Sequence, residues 1–204
     1  MNDIQARKQA LRQSIIAARS NIAEPERAEL SALIAARLAE LEVYRNATTV
    51  LGYLNFGAEF SAEIFVRQAL ADGKQVLLPK VNRETKQLEI YRVTDLTLDV
   101  APGLWEIREP LIERCNKVVD LSSIDFILLP GVAFARDGSR VGYGGGFYDK
   151  LLARMPHQPV LVAAAFSMQL IDYIELLEFD RAAQWLITEQ ETIRCETALG
   201  ITKN

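Results

Sequence analysis

The glycines of this chain are unevenly spread. Six of its eleven fall within the sixteen residues Gly131 to Gly146, inside the run LLPGVAFARDGSRVGYGGGFYDKLL. Glycine has no side chain, so it admits positive φ and lets a ligand come close to the backbone. Set between a buried strand and a helix, consecutive amides of such a loop can converge on an anion at the helix N-terminus. Spacing excludes two standard nucleotide loops. No Gly-Lys-Ser/Thr follows at the Walker A offset, and Phe147 occupies the third glycine position of a G-x-G-x-x-G begun at Gly142-Tyr-Gly144. The ingredients of phosphate binding are nevertheless present. Arg136 and Arg140 flank the loop with forked donors suited to phosphate oxygens. Asp149 falls in the first turn of the following helix. There a carboxylate either complements the helix dipole or holds Mg2+ against phosphates, and spacing alone leaves both open. A flexible surface loop is the competing reading of the same glycines.

Other chemistry is thinly supplied. The single histidine, His157, lies between Met155-Pro156 and Gln158-Pro159, a surface turn by composition. A Ser-His-Asp site is formally possible but would have to use that turn histidine, and no G-x-S-x-G elbow accompanies it. Cys115 and Cys195 stand eighty positions apart, in neither zinc spacing nor a disulfide framework. An enzyme with this inventory needs chemistry with little proton shuttling. Lys8 and Arg12 share one helix face at i and i+4, which is also what an ordinary solvated face shows. Tyr143, lodged between glycines, is a better candidate for contact with a ligand ring than Trp105, whose neighbours Leu104 and Ile107 suit partly buried packing. Lys80, at a strand end, reaches either phosphate or water.

The elements that position these residues follow from periodicity. Residues 3 to 19 set Ile4, Leu11, Ile15 and Ile16 against Arg7, Lys8, Arg12 and Arg19 at helical spacing. Glu24-Pro25-Glu26 opens a second helix with Leu30, Leu33, Ile34, Leu38 and Leu41 as its buried stripe. Thr48 to Leu54 predicts a strand by β-branched content, and Ser61 an N-cap of a helix that stops at Gly73. Gln75 to Val81 and Leu88 to Val93 are further strands, while Thr94 to Leu121, punctuated by Pro102, Gly103 and Pro110, reads mostly as loop. Ile124 to Pro130 is a continuous apolar run of the buried parallel-strand kind. After the glycine loop comes a helix from about Phe147, with Tyr148, Leu151, Leu152 and Met155 on its apolar face. Val160 to Ala165 and Trp185 to Thr188 predict two more strands. Strands alternating with helices imply an α/β domain whose mostly parallel sheet is covered on both faces. No linker divides the chain, so residues 1–204 are expected to form one domain with the helices of about 3–42 packed onto it.

Composition bounds the function classes. The chain has 204 residues, 23 basic and 27 acidic, giving a formal net charge of −4. That excludes a whole-chain polybasic nucleic-acid binder. The apolar stretch Val160 to Phe166 is too short to cross a bilayer, and the N-terminal MNDIQARKQALRQS holds no apolar signal segment. A cytoplasmic monomer acting on small molecules, with no nucleic-acid or membrane partner, is the expectation.

The glycine run resembles the signature of the 5-formyltetrahydrofolate cyclo-ligase (5,10-methenyltetrahydrofolate synthetase) family. Weaker pieces follow in that family's order: Lys8-Gln-Ala-Leu-Arg12, Leu54-Asn-Phe-Gly-Ala-Glu59, Leu78-Pro79-Lys80 and Trp105-Glu-Ile-Arg-Glu109-Pro110. The resemblance implies a Rossmann-like three-layer α/β sandwich and an ATP- and Mg2+-dependent enzyme. Its reaction would turn 5-formyltetrahydrofolate into 5,10-methenyltetrahydrofolate, ADP and phosphate through a phosphorylated formyl (iminium phosphate) intermediate. By the same resemblance Lys8 and Arg12 bind ATP, together with Arg140, Val141, Gly142, Tyr143, Gly144, Gly145, Gly146, Phe147 and Tyr148. Leu54 and Glu59 contact folate, as do Tyr143, Gly144, Gly145, Gly146 and Phe147; Arg140 and Tyr143 are the catalytic pair and Asp149 holds the metal. One departure stands out. Phe179 replaces a histidine common in the family, and Gln184 stands where a second metal-binding aspartate would be, so Gln184 is left out of the metal site. The formyl oxygen carries no proton, so its attack on phosphorus needs no general base, in keeping with the lack of a useful histidine. Two other readings compete: a sugar-phosphate isomerase-like enzyme independent of ATP, and a non-catalytic nucleotide- or folate-binding protein.

Overall fold

The structure, a computed structural model, describes residues 2–104, 107–175 and 180–196. Among the described residues there are five α-helices: α1 (Asn2–Ser20), α2 (Glu24–Glu40), α3 (Glu42–Asn46), α4 (Ala62–Ala71) and α5 (Phe147–Leu152). Twelve strands run in chain order as β1 (Thr49–Leu51), β2 (Gln75–Asn82), β3 (Gln87–Val93), β4 (Val100–Pro102), β5 (Arg108–Pro110) and β6 (Asn116–Val118). They continue as β7 (Phe126–Leu129), β8 (Ala133–Phe134), β9 (Arg140–Val141), β10 (Val160–Ala164), β11 (Trp185–Ile187) and β12 (Thr192–Arg194).

Eight of these strands form one sheet in the order β12-β11-β10-β7-β1-β2-β3-β6. The five central strands, β11 to β2 in that order, pair in parallel, and the antiparallel strands are confined to the edges. Successive side chains of a strand point to opposite faces, and both faces here are covered. Val50, Phe126, Leu128 and Val162 pack under α2 and α4, whereas Leu51, Ile127, Leu129 and Leu161 pack against Leu151 of α5. Each of the four residues of β7 is fully buried, which is why that segment is a continuous apolar run rather than an alternating one. The Asp125 carboxylate accepts from the amides of Thr48 and Thr49 at 2.8 and 2.9 Å, tying the start of β7 to that of β1. The result is a single three-layer α/β domain.

Several expectations change at their boundaries. The strand predicted over 48–54 ends at Leu51, and Tyr53 and Leu54 leave the sheet into a loop. Ser61 occupies the N-cap of α4, but its side chain makes no capping bond. Leu33 of α2 is 51% exposed, while Ile34, Leu38 and Leu41 carry the buried stripe. The segment 94–121 holds β4 and β5, paired as a ribbon, and β6 at the sheet edge. Helix α5 ends at Leu152, short of Met155. The β8–β9 hairpin gives Ile15 of α1 its buried apolar seat, through Val132, Ala133 and Val141. No helix among the described residues is long and apolar enough to cross a membrane.

Candidate active site

In open α/β sheets, ligands bind beyond the C-terminal strand ends where the chain order reverses direction. Here β1 leads to β2 on one side, while β7, its other neighbour, leads to β10 on the opposite side. At that point Tyr53 and Leu54 follow β1 and Pro130 follows β7, and all three line an open cleft of about 1110 Å³. Lys8, Arg12, Leu54, Glu59, Asp149 and every residue from Arg140 to Tyr148 line the same cleft. Residues up to 176 positions apart in the chain, from Gln5 to Arg181, are thus brought to one place.

Helix α1 fixes the glycine loop. Arg12 Nε donates to the carbonyl of Gly142 at 2.6 Å, and the Arg12 guanidinium passes within 3.7 Å of where a Cβ on Gly144 would stand. Gly144 has φ +98°, a conformation that side-chain-bearing residues rarely adopt. At the N-cap of α5, Gly146 is left-handed as well, at φ 62°. Asp149 sits in the first turn of α5, where the positive end of the helix favours it.

The cleft's charged end is not a row of free cations. Lys8 Nζ lies 2.9 Å from Asp180 Oδ2, and Arg140 Nη2 lies 2.7 Å from Asp149 Oδ1. Arg140 and Asp149, read from the sequence as a phosphate partner and a metal ligand, are therefore a mutual pair. The Arg140 side chain is only 7% exposed. Its Nε and the Tyr148 hydroxyl are both buried without a partner among the described residues. Buried polar atoms are normally satisfied, so two orphans on residues that line the cleft mark where a polar ligand would be met. Among the described residues no group of three His, Cys, Asp or Glu forms a metal cage. Mg2+ does not require one, because it binds one or two carboxylates with phosphate oxygens and water. Asp149, with only Oδ1 taken by Arg140, fits that donor set.

A second set of cleft groups is built on Glu59, which is buried. Its Oε2 accepts from the amide of Phe56 at 2.7 Å, and its Oε1 accepts from the Tyr143 hydroxyl at 2.5 Å. Tyr143 Oη in turn accepts from Arg19 Nη2 at 2.8 Å. Burial pushes the Glu59 carboxyl above its ordinary 4.5, against the opposing pull of Tyr143, the Phe56 amide and the Arg19 charge. The rings of Phe56 and Tyr143 meet edge to face, with centroids 6.5 Å apart, and both line the cleft. Aromatic edges, aliphatic walls from Leu54, Leu78 and Leu88, and one buried acceptor suit a flat heterocycle with N–H donors.

Other expectations fall elsewhere. Arg136 points away, forming a two-bond pair with Glu191 on the surface. His157 is exposed and bonds the Ile124 carbonyl at 3.2 Å. Lys80 pairs with Glu109 at 3.3 Å, and Glu109 lines the cleft. Gln184 Oε1 accepts from the Leu161 amide at 2.9 Å, so its side chain extends the β10–β11 contact and does not reach the cleft. Trp105 and Phe179 lie outside the described residues. Sequence reasoning missed Tyr53, Phe56, Asp180 and Arg181 as cleft residues. The first two sat inside or beside a predicted strand, and no periodic signal marks any of the four.

Comparison with known proteins gives the family. The model of the 5-formyltetrahydrofolate cyclo-ligase family matches residues 4–189. A probable 5-formyltetrahydrofolate cyclo-ligase of Caenorhabditis elegans is 28% identical, covering 97% of this chain and 100% of its own length. The 5-formyltetrahydrofolate cyclo-ligase of Escherichia coli K12 is 31% identical over 66% of this chain and 74% of its own. Among solved structures, the 5,10-methenyltetrahydrofolate synthetase of Aquifex aeolicus superposes with a TM-score of 0.80 at 30% identity, covering 92% of each chain. The synthetase of Mycoplasma pneumoniae, at 22% identity and a TM-score of 0.71, shares the fold over 89% of this chain and 98% of its own. With the family's sequence pattern running through nearly the whole chain and the fold shared over 92% of it, the chain belongs to the 5-formyltetrahydrofolate cyclo-ligase family.

Proposed function

We propose that this chain converts 5-formyltetrahydrofolate to 5,10-methenyltetrahydrofolate with consumption of ATP and release of ADP and phosphate. The observation that carries the reading is that one cleft gathers two kinds of group. Lys8, Arg12, Arg140 and the glycine-loop backbone suit phosphate, and Glu59 and the Tyr143 side chain, with apolar walls from Leu54, Leu78 and Leu88, suit a heterocycle. The cleft's volume of about 1110 Å³ exceeds the roughly 300–1,000 Å³ typical of a pocket for one ligand, leaving room for two substrates side by side.

In this reading the formyl oxygen attacks the γ-phosphorus of ATP, a P–O bond forms, and the bond to ADP breaks. N10 then adds to the phosphorylated formyl carbon, the C–O bond to phosphate breaks, and the N10 proton leaves with phosphate or solvent. The attacking oxygen bears no proton, so the protein's task is in-line positioning and neutralisation of charge. Lys8 and Arg12 hold phosphate oxygens, and Arg140 and Tyr143 orient the reacting groups. Leu54 and Phe147 pack on the folate, and ionised Glu59, which only accepts, receives the pterin N–H donors. Asp149 would hold Mg2+, which supplies charge neutralisation at the β- and γ-phosphates when bound.

The test is a continuous absorbance assay of the methenyl product's near-ultraviolet band with 5-formyltetrahydrofolate and MgATP. A band that grows only in the complete mixture is the expected result. Turnover without ATP would favour isomerase-like chemistry, and ligand binding by folded protein without turnover would favour a non-catalytic binder. Either outcome overturns the reading.

A further inference from the structure

Arg19 lies in the last turn of α1, is 3% exposed, and does not line the cleft. Among the described residues its guanidinium makes no ion pair. Nη2 donates to Tyr143 Oη, and Nε is buried without a partner. Burying a charge is costly unless it is paired and hydrogen-bonded, and an apolar side chain of similar size would serve packing at least as well. Helix α1 already has Leu11, Ile15 and Ile16 for its apolar seat. The guanidinium therefore calls for another explanation, and its one side-chain contact points to it.

The hydrogen-bond chain Arg19 to Tyr143 to Glu59 has a forced direction. Arg has no acceptor and an ionised carboxylate has no donor, so the tyrosine's single proton must lie toward Glu59. We propose that Arg19 is a positioning residue for the folate end of the site, orienting the Tyr143 hydroxyl and through it the Glu59 carboxylate without touching substrate. This rests on the function proposed above. The groups facing Glu59 come from four places: Arg19 from α1, Tyr53 after β1, Tyr143 from the glycine loop and Tyr148 from α5. Burial holds all three tyrosine hydroxyls above their ordinary value, leaving them neutral, and Arg19 is the cation of the set. Arg12 and Arg19 stand seven residues apart, two turns along one helix face. Helix α1 thus holds the glycine loop twice, at the Gly142 carbonyl and at the Tyr143 side chain.

The experiment compares wild type with Arg19→Gln and Arg19→Lys in two measurements. The first is the Glu59 titration by carbon-13 carboxyl NMR in the ligand-free protein, with the signal assigned through Glu59→Gln. The second is the KM for each substrate and kcat. Loss of one charged hydrogen bond predicts a rise of about tenfold in the KM for 5-formyltetrahydrofolate in Arg19→Gln, with the KM for ATP changed less than about twofold. The Glu59 titration should move to higher pH in that variant. Arg19→Lys, which keeps the charge but not the reach, should be intermediate in both, and serves alone if the Gln variant does not fold. An unmoved Glu59 titration, or both KM values rising together, overturns the proposal. The titration needs no turnover, so a wild-type protein that makes no methenyl product sinks the proposed reaction and leaves the link from Arg19 to Glu59 still measured.

Discussion

Asp149 has two loyalties, and substitutions separate them. One oxygen of its carboxylate holds the nearly buried Arg140, and the whole group is the candidate to hold Mg2+. Asp149→Ala leaves Arg140 buried without its partner. Breaking such a pair costs several kcal/mol when both members are fully buried, and about 1–3 kcal/mol here because Asp149 is 24% exposed. Asp149→Asn keeps an oxygen for Arg140 and removes the charge. It should retain most of the stability while raising the Mg2+ concentration for half-maximal activity by more than about tenfold. A magnesium titration of Asp149→Asn that overlays wild type would take the residue out of the metal site. The same comparison separates Asp149 from Gln184, whose carbonyl is already engaged by the Leu161 amide.

At the scale of elements, the glycine loop depends on its neighbours for its shape. Gly144→Ala would force a Cβ into φ +98°, costing about 1–3 kcal/mol, with the Arg12 guanidinium in ordinary contact at 3.7 Å. Relaxing that strain moves the loop away from α1. The expected outcome is a Tm several degrees lower and a KM for ATP raised more than that for folate. Wild-type kinetics for both substrates would mean that the loop does not approach the nucleotide. How far this arrangement can be read in a sequence depends on element length. Helix α1 and strand β7 are legible because their periods repeat or their burial is continuous. Strands β4, β5 and β6 have three residues each, and β4 and β5 end in proline, so 94–121 read as loop; the two-residue strands β8 and β9 are too short to carry a period inside the glycine-rich stretch. The same limit applies to the cleft. The spacing of Lys8 and Arg12 and the cluster of glycines were visible. The meeting of Glu59 with Tyr143, 84 residues later, is set by where β1 and β7 end in the sheet, and local pattern carries no trace of it.

For the molecule as a whole, the site and the fold make opposite demands on one carboxyl group. Glu89 is held down to about 2 by Lys117 and Asn82. Asp99, despite its burial, is held below its ordinary value by the amides of Thr94 and Asp95. Depressed acids contribute stability that is present above their unfolded values and lost as the pH falls through the folded ones. Glu59 runs the other way, because burial raises it. Its contribution is complete below the unfolded value of about 4.5 and is lost as the pH rises through the raised folded value. Ionising Glu59, so that it can accept the pterin's N–H donors, therefore comes at a cost in stability, as functional sites often require. Glu59→Gln removes the charge and keeps an acceptor for the Phe56 amide or the Tyr143 hydroxyl. Thermal denaturation should show this variant above wild type near about pH 8, with the gap closing as the pH falls below about 4.5, where Glu59 becomes neutral in both states. The same variant should bind 5-formyltetrahydrofolate more weakly at the higher pH. A Tm difference that does not change with pH would mean that the Glu59 carboxyl is no more burdened in the folded protein than in the unfolded chain. Its place beneath the cleft would then be a matter of packing, and ionisation would play no part.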